Sequence, residues 1–328
     1  MMLSTFRHFY SQDDLARFLI ICPDTDLSET IAVQRSVTTD ERYSVVSERD
    51  ICPDLPWGAP GARASNGWHI QQILKLAAAE HVSSQHYVTL DSDILCLRPF
   101  GSDDLVINGK AMAGVETAET YLRCYTDSFA AHEIGVKKRR YESSAALLAY
   151  ERCKGFCGCY FSETPCVLHT NSVVELLCYL TTASQVPWST TLAQTSEWTE
   201  YSLYFQFLES RGLFDILYIR GGCNAVLDLE KSVWHESEYY RESRTYDRHH
   251  FMDFNGSFEH GPFVSIQSAA CIEAWLPTWA SDLDEFYDHV SSWLRIGRSP
   301  PCTKIGTLLL RRWQAALRNL LPSQGGSA

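Results

Sequence analysis

The chain has 328 residues, 45% hydrophobic and 21% charged, the composition of a folded domain with a full core rather than of a long disordered segment. Its formal charge of −12 is uneven. The last six basic residues, Arg295 to Arg318, have no acidic residue among them, so residues 1–294 hold 22 Lys and Arg against all 40 Asp and Glu. A body of that sign repels polyanions and argues against nucleic-acid binding through a broad basic face.

No run reaches the roughly 18–20 apolar residues that cross a bilayer, and residues 1–14 lack a basic segment followed by an apolar core. A cytoplasmic protein is expected. Twelve cysteines are present, and the tightest group, Cys153, Cys157, Cys159 and Cys166, has no zinc-ligand spacing. Buried free thiols are the expectation.

In chain order, residues 17–22 (RFLIIC) read as a buried strand. Residues 30–33 and 43–47 (YSVVS) read as further strands, and the Pro- and Gly-rich stretch 53–67 as loop. A helix is expected over 68–80, with Ser65 or Asn66 as its cap. Its apolar side is Ile70, Ile73, Leu74 and Ala77, and its other stripe is Trp68, Gln71, Gln72 and Lys75. A Trp and two amides are unusual for a solvated face and fit the lining of a cleft.

Residues 86–90 (HYVTL) form a strand ending in Asp91-Ser92-Asp93, and residues 94–97 continue apolar. Helices are expected over 139–152, 172–181, 197–210 and 282–294, with extended segments at 165–169 and 214–219; residues 263–272 (FVSIQSAACI) form a further segment. Residues 234–260 read as irregular. Alternating strands and helices predict an α/β sheet with ligands beyond the carboxyl ends of strands. After Pro300-Pro301, residues 304–321 form an amphipathic basic helix. It suits an acidic membrane surface or a partner protein, or packs back on its own domain.

Two carboxylates at i and i+2, just past a buried strand, can meet one divalent cation. Hard oxygen ligands suit Mn²⁺ or Mg²⁺, and such a cation would neutralise a diphosphate that this acidic body repels. The ordinary alternative is a solvated turn.

With W-x-x-Q-Q-x-x-K on a helix, then YVTLDSDILCLRPF, and SETPCVLHT, EWTEYSLYFQF and FVSIQS following in order, residues 15–275 resemble a GT-A-fold glycosyltransferase with its DxD motif. They are nearest to a glycosyltransferase-like family of the domain-of-unknown-function kind. The resemblance implies a GT-A-like (Rossmann-like) mixed sheet flanked by helices over residues 1–298, and a helical appendage over 299–328. It implies sugar transfer from a nucleotide-diphosphate donor to a hydroxyl of a glycan or other acceptor. Trp68, Gln71, Lys75, Asp91, Ser92 and Asp93 would then bind the donor. Asp91, Asp93 and a late histidine, His260, would bind the metal, with His235, His249 and His250 as competing candidates. Tyr160, Glu163, Thr164, Trp198 and Tyr201 would face the acceptor.

Glu200 is the expected acceptor-side carboxylate, a general base if the transfer inverts configuration and a substrate-orienting group if it retains it, with Asp93 at the reacting diphosphate. A first-turn helix carboxylate favouring the dipole is the alternative for Glu200. One departure stands out: the strand and loop that open a GT-A domain are expected to be missing or divergent, since the chain starts near the first helix. Two rivals remain. A non-catalytic relative would keep the fold as a binding or scaffold protein. An aspartate-nucleophile phosphatase also uses an apolar strand followed by D-x-D, but usually has Thr or Val where Leu95 stands, and places the motif near the domain start.

Overall fold

The structure, a computed structural model, describes residues 1–57, 67–150, 159–229, 232–235, 237–242, 261–266, 283–294 and 296. Helix α1 (Met2–Phe9) is followed by β1 (Phe18–Cys22), α2 (Leu27–Val37) and β2 (Tyr43–Ser47). β1 and β2 are parallel, with Phe18 opposite Tyr43 and Cys22 opposite Ser47. Parallel neighbours need a crossover, and α2 supplies it. This corrects the expected strand at 30–33: its short apolar run lies inside the crossover helix.

A single helical turn, α3 (Glu48–Ile51), precedes α4 (Gly67–Ala77), which continues as a 3₁₀ turn to His81. Then come β3 (His86–Thr89) and β4 (Ile94–Cys96). The Asp91–Asp93 turn joins them, held by Ile94 N–H donating to the Asp91 carbonyl at 3.2 Å and Ile266 N–H donating to the Asp93 carbonyl at 2.9 Å.

The short α5 (Ser102–Leu105) and β5 (Val106–Ile107) lead into β6 (Lys110–Thr117), the longest strand among the described residues. α6 (Ala118–Cys124) and the 21-residue α7 (Asp127–Leu147) follow. β7 (Cys159–Phe161), β8 (Cys166–His169), α8 (Thr170–Ser184), α9 (Trp188–Gln194) and α10 (Glu200–Ser210) come next. The last elements are α11 (Phe214–Leu217), β9 (Tyr218–Gly221), β10 (Phe263–Ser265) and α12 (Leu283–Trp293).

The fold is mixed α/β with several small sheets. β6 pairs antiparallel with β5 and β7 and parallel with β9; β3 pairs antiparallel with β8, and β4 with β10. One hydrophobic cluster runs through these sheets and helices, with Ile73, Leu76, Ile94, Leu168, Leu176, Trp198 and Phe205 among its most buried members.

Three element boundaries differ from the sequence expectation. α7 begins at Asp127, twelve residues before the expected start. The helix expected from 197 begins at Glu200, because Thr199 is its cap: Thr199 Oγ1 accepts from Ser202 N–H and Ser202 Oγ accepts from Thr199 N–H, each at 3.1 Å. Residues 214–217 are a helical turn, and the strand starts only at Tyr218. His249, His250, His260 and the helix expected at 304–321 lie outside the described residues.

Candidate functional site

The site is built where α4, the turn after β3 and the start of α10 meet. α4 buries Ile73, Leu74 and Ala77 of its apolar stripe, Gln72 of the other stripe, and His69 and Leu76 between them. The polar stripe is therefore not a solvated face. Its Lys75 points inward, with the side chain 12% exposed, and its ammonium lies 2.6 Å from Asp91 Oδ1 and 3.0 Å from Glu200 Oε1. The same ammonium sits over the Tyr201 ring, 5.4 Å from its centre. The Tyr87 hydroxyl donates to the Lys75 carbonyl at 2.9 Å, fixing this turn of α4 to β3.

Glu200 is buried, and the side-chain amide of Gln72 lies against its carboxylate. Its position at the first residue of α10 adds the favourable field of a helix start. Burial alone would lower the Lys75 pKa, but Glu200 and Asp91 hold it well above the ordinary lysine range. Burial raises the Glu200 pKa, and Lys75 only partly reverses this.

Asp93 differs from its neighbours. Its Oδ1 is closed to solvent and has no hydrogen-bond partner among the described residues. Burial first, and then the charge of Asp91, push its carboxyl up to about 7. Three carboxylates thus gather around a single lysine, and one of them keeps an orphaned oxygen. A cation at that oxygen would relieve both the burial and the repulsion, so the pair Asp91 and Asp93 fits a divalent ion chemically. Among the described residues no third His, Cys, Asp or Glu completes a group able to hold a metal. Any further ligands must come from elsewhere.

A second charged network adjoins the first. Lys137 on α7 pairs with Glu163 at 3.0 Å and Glu116 at 3.5 Å, and Arg140 pairs with Glu163 at 2.6 Å. The Tyr121 hydroxyl donates to Glu116. Burial works against the Glu163 charge, yet Lys137 and Arg140 pull its pKa down to about 2. The field of Lys75 also reaches Glu163, so the two networks adjoin. The guanidinium of Arg140 lies over the Trp68 ring at 5.1 Å.

The contacts join Lys75 to Asp91, Glu200 and the Tyr201 ring, and join Trp68 to Glu163 through Arg140, while Asp93 follows Asp91 two residues along the turn. Ser92 is exposed at the turn and Gln71 half-buried on α4. Four expected acceptor residues are corrected. Trp198 is fully buried, its indole N–H shared between the Leu192 and Thr195 carbonyls. Tyr160 packs its edge on Tyr141, Thr164 donates to the Thr89 carbonyl, and the Tyr201 hydroxyl bonds Thr89 Oγ1 at 2.8 Å. All four are at most 5% exposed, which leaves no ring or hydroxyl face for a sugar. Glu200, expected as a base toward the acceptor, is 1% exposed and engaged by Lys75, so it anchors the lysine in this arrangement.

Sequence reasoning passed over Glu116, Tyr121, Lys137 and Arg140. A signal existed: Lys137 falls in the same helical stripe as Ala130, Tyr141 and Ser144, which are all buried. A lysine in a core-facing stripe requires a partner.

Together the fold and the site define a mixed α/β domain with an acidic turn beyond a strand, facing a buried lysine. The chain matches the family of unknown function DUF6492 over residues 1–291 and belongs to that family. No curated protein matches it.

Proposed function

We propose that this protein is a metal-dependent glycosyltransferase with a GT-A-like sheet, transferring a sugar from a nucleotide-diphosphate donor to an acceptor hydroxyl. The observation that supports this most is the orphaned Asp93 oxygen beside Asp91, at the end of β3 and against Lys75. A divalent ion, Mn²⁺ or Mg²⁺, held by Asp91 and Asp93 would supply positive charge against a departing diphosphate.

Lys75 adds a second positive charge, fixed in place by burial and by Glu200 rather than by a flexible surface stem. Glu200 and Gln72 set the ammonium position. They act as positioning residues, and the proton of the acceptor hydroxyl is left to another group. The N-terminal βαβ unit of β1, α2 and β2 stands ahead of α4 in the chain, a place that suits an opening nucleotide-binding unit in such a fold.

The test is a screen of nucleotide sugars for release of the nucleoside diphosphate, with and without Mn²⁺. Metal-dependent release is expected with at least one donor, together with a rise in melting temperature when Mn²⁺ and UDP or GDP are both present. Asp93→Asn is expected to remove both effects. Absence of any metal-linked shift with every nucleoside diphosphate would leave a non-catalytic binding protein, and phosphate release from small phosphoesters would indicate a phosphatase instead.

A further inference from the structure

Trp68 is the one aromatic among the exposed large hydrophobic side chains of the described residues, at 37% exposure. It is also held by more than its own backbone. The Arg140 guanidinium covers it at 5.1 Å, and Arg140 is itself pinned by Glu163 at 2.6 Å. An exposed indole held beside a guanidinium and a carboxylate offers an apolar surface, a fork of donors and a charged acceptor at one place. These side chains differ sharply in openness from the network behind them. Glu163 and Arg140 remain 33% and 23% exposed, whereas Lys137 and Glu116 are 8% and 5% exposed. The inner pair supports, and the outer trio faces outward.

Placement relative to the acidic turn follows from helix geometry. Trp68 and Lys75 lie seven residues apart on α4, about two turns, so their Cα atoms stand roughly 10 Å apart along the axis on one stripe of the helix. Half-buried Gln71 lies between them.

Charge narrows the occupant. Arg140 is offset by Glu163 and Lys137 by Glu116, so the trio offers no surplus cation, and residues 1–294 are strongly acidic. An anionic ligand would be repelled, whereas a ring bearing hydroxyls finds donors, acceptors and an apolar face.

We infer that Trp68, Arg140 and Glu163 form a binding subsite for a neutral hexopyranose of the acceptor, on the helix stripe that also carries Lys75. The inference rests on the transfer reading, but its test does not need turnover. Saturation-transfer NMR is run on the full chain with malto-, cello- and chito-hexaose, and with a hyaluronan hexasaccharide as the anionic control. At least one neutral hexasaccharide is expected to receive saturation from aromatic protons. Trp68→Ala should weaken its binding at least tenfold, and Arg140→Lys several-fold, in variants whose circular dichroism and melting match the parent. No saturation transfer to any neutral probe, undiminished transfer in Trp68→Ala, or preference for hyaluronan would each overturn the inference. Donor cleavage by the unaltered protein without acceptor tests the transfer reading separately, so the two failures are distinguishable.

Discussion

Lys75, Asp91, Glu200 and Asp93 form an unequal set: Lys75 pairs with both Asp91 and Glu200, and Asp93 has an oxygen without a partner among the described residues. The Asp93 carboxyl, pushed up from an ordinary value near 3.8 to about 7, makes stability depend on pH in a defined direction. The folded protein binds this proton more tightly than the unfolded chain does. Its contribution is therefore fully present below about pH 4 and is lost as the pH rises through about 7. In metal-free buffer the melting temperature should carry a downward component between pH 5 and 8, and Asp93→Asn should flatten it. Asp93→Asn should also be the more stable protein at pH 8, since it removes a buried charge beside Asp91. Melting curves of both proteins across that range in EDTA decide this, and equal slopes would show that Asp93 does not hold the proton. At this scale Asp91, Asp93, Lys75 and Glu200 were readable from chain order, because each lies on a local pattern: a strand end, a helix stripe, a helix start. Arg140 and Glu116 were not, because their charged partners, Glu163 and Lys137, come from segments more than 20 residues away and no periodicity reports such pairing.

Elements fix those side chains, and α10 is the most exposed to test. It is almost wholly buried from Glu200 to Leu208, so its direction is set by packing, but its first turn is set by Thr199. Thr199 and Ser202 exchange backbone and side-chain hydrogen bonds, and Ser202 Oγ also meets Ser144 Oγ of α7 at 2.7 Å. Removing the Thr199 hydroxyl leaves the Ser202 N–H donor unsatisfied in a closed environment, which costs about 1–2 kcal/mol. Thr199→Ala should lower the urea midpoint accordingly, and Thr199→Ser should restore most of it; a Thr199→Ala midpoint equal to the parent's would rule out the cap as a determinant of Glu200's position. Helices α4 and α10 were legible through apolar spacing. The strand expected at 30–33 was not a strand, because three apolar residues in a row fit either period, and only the parallel pairing of β1 with β2 decides between them. The early start of α7 escaped notice for a related reason: Lys137 interrupts the apolar stripe that would have announced the helix.

At the level of the whole molecule, 40 acidic residues against 28 basic ones make the native state repel itself, and the acidic turn adds local repulsion to that general field. Two cation effects should therefore appear and should be separable. Raising NaCl from 10 mM to 100 mM shortens the screening length from about 30 Å to about 10 Å, so the melting temperature should rise gradually for the parent and for Asp93→Asn alike. A specific divalent site behaves differently. Its stabilisation follows the logarithm of occupancy and reaches about 2.7 kcal/mol at a hundredfold excess over the dissociation constant. At constant ionic strength, Mn²⁺ should thus add several degrees in the parent, with a midpoint fixed by affinity, and should add nothing to Asp93→Asn. Should Mn²⁺ and a matched concentration of Na⁺ salt move both proteins equally, the acidic turn would be part of the general field only, and the cation required for a diphosphate to bind would have no home at Asp91 and Asp93.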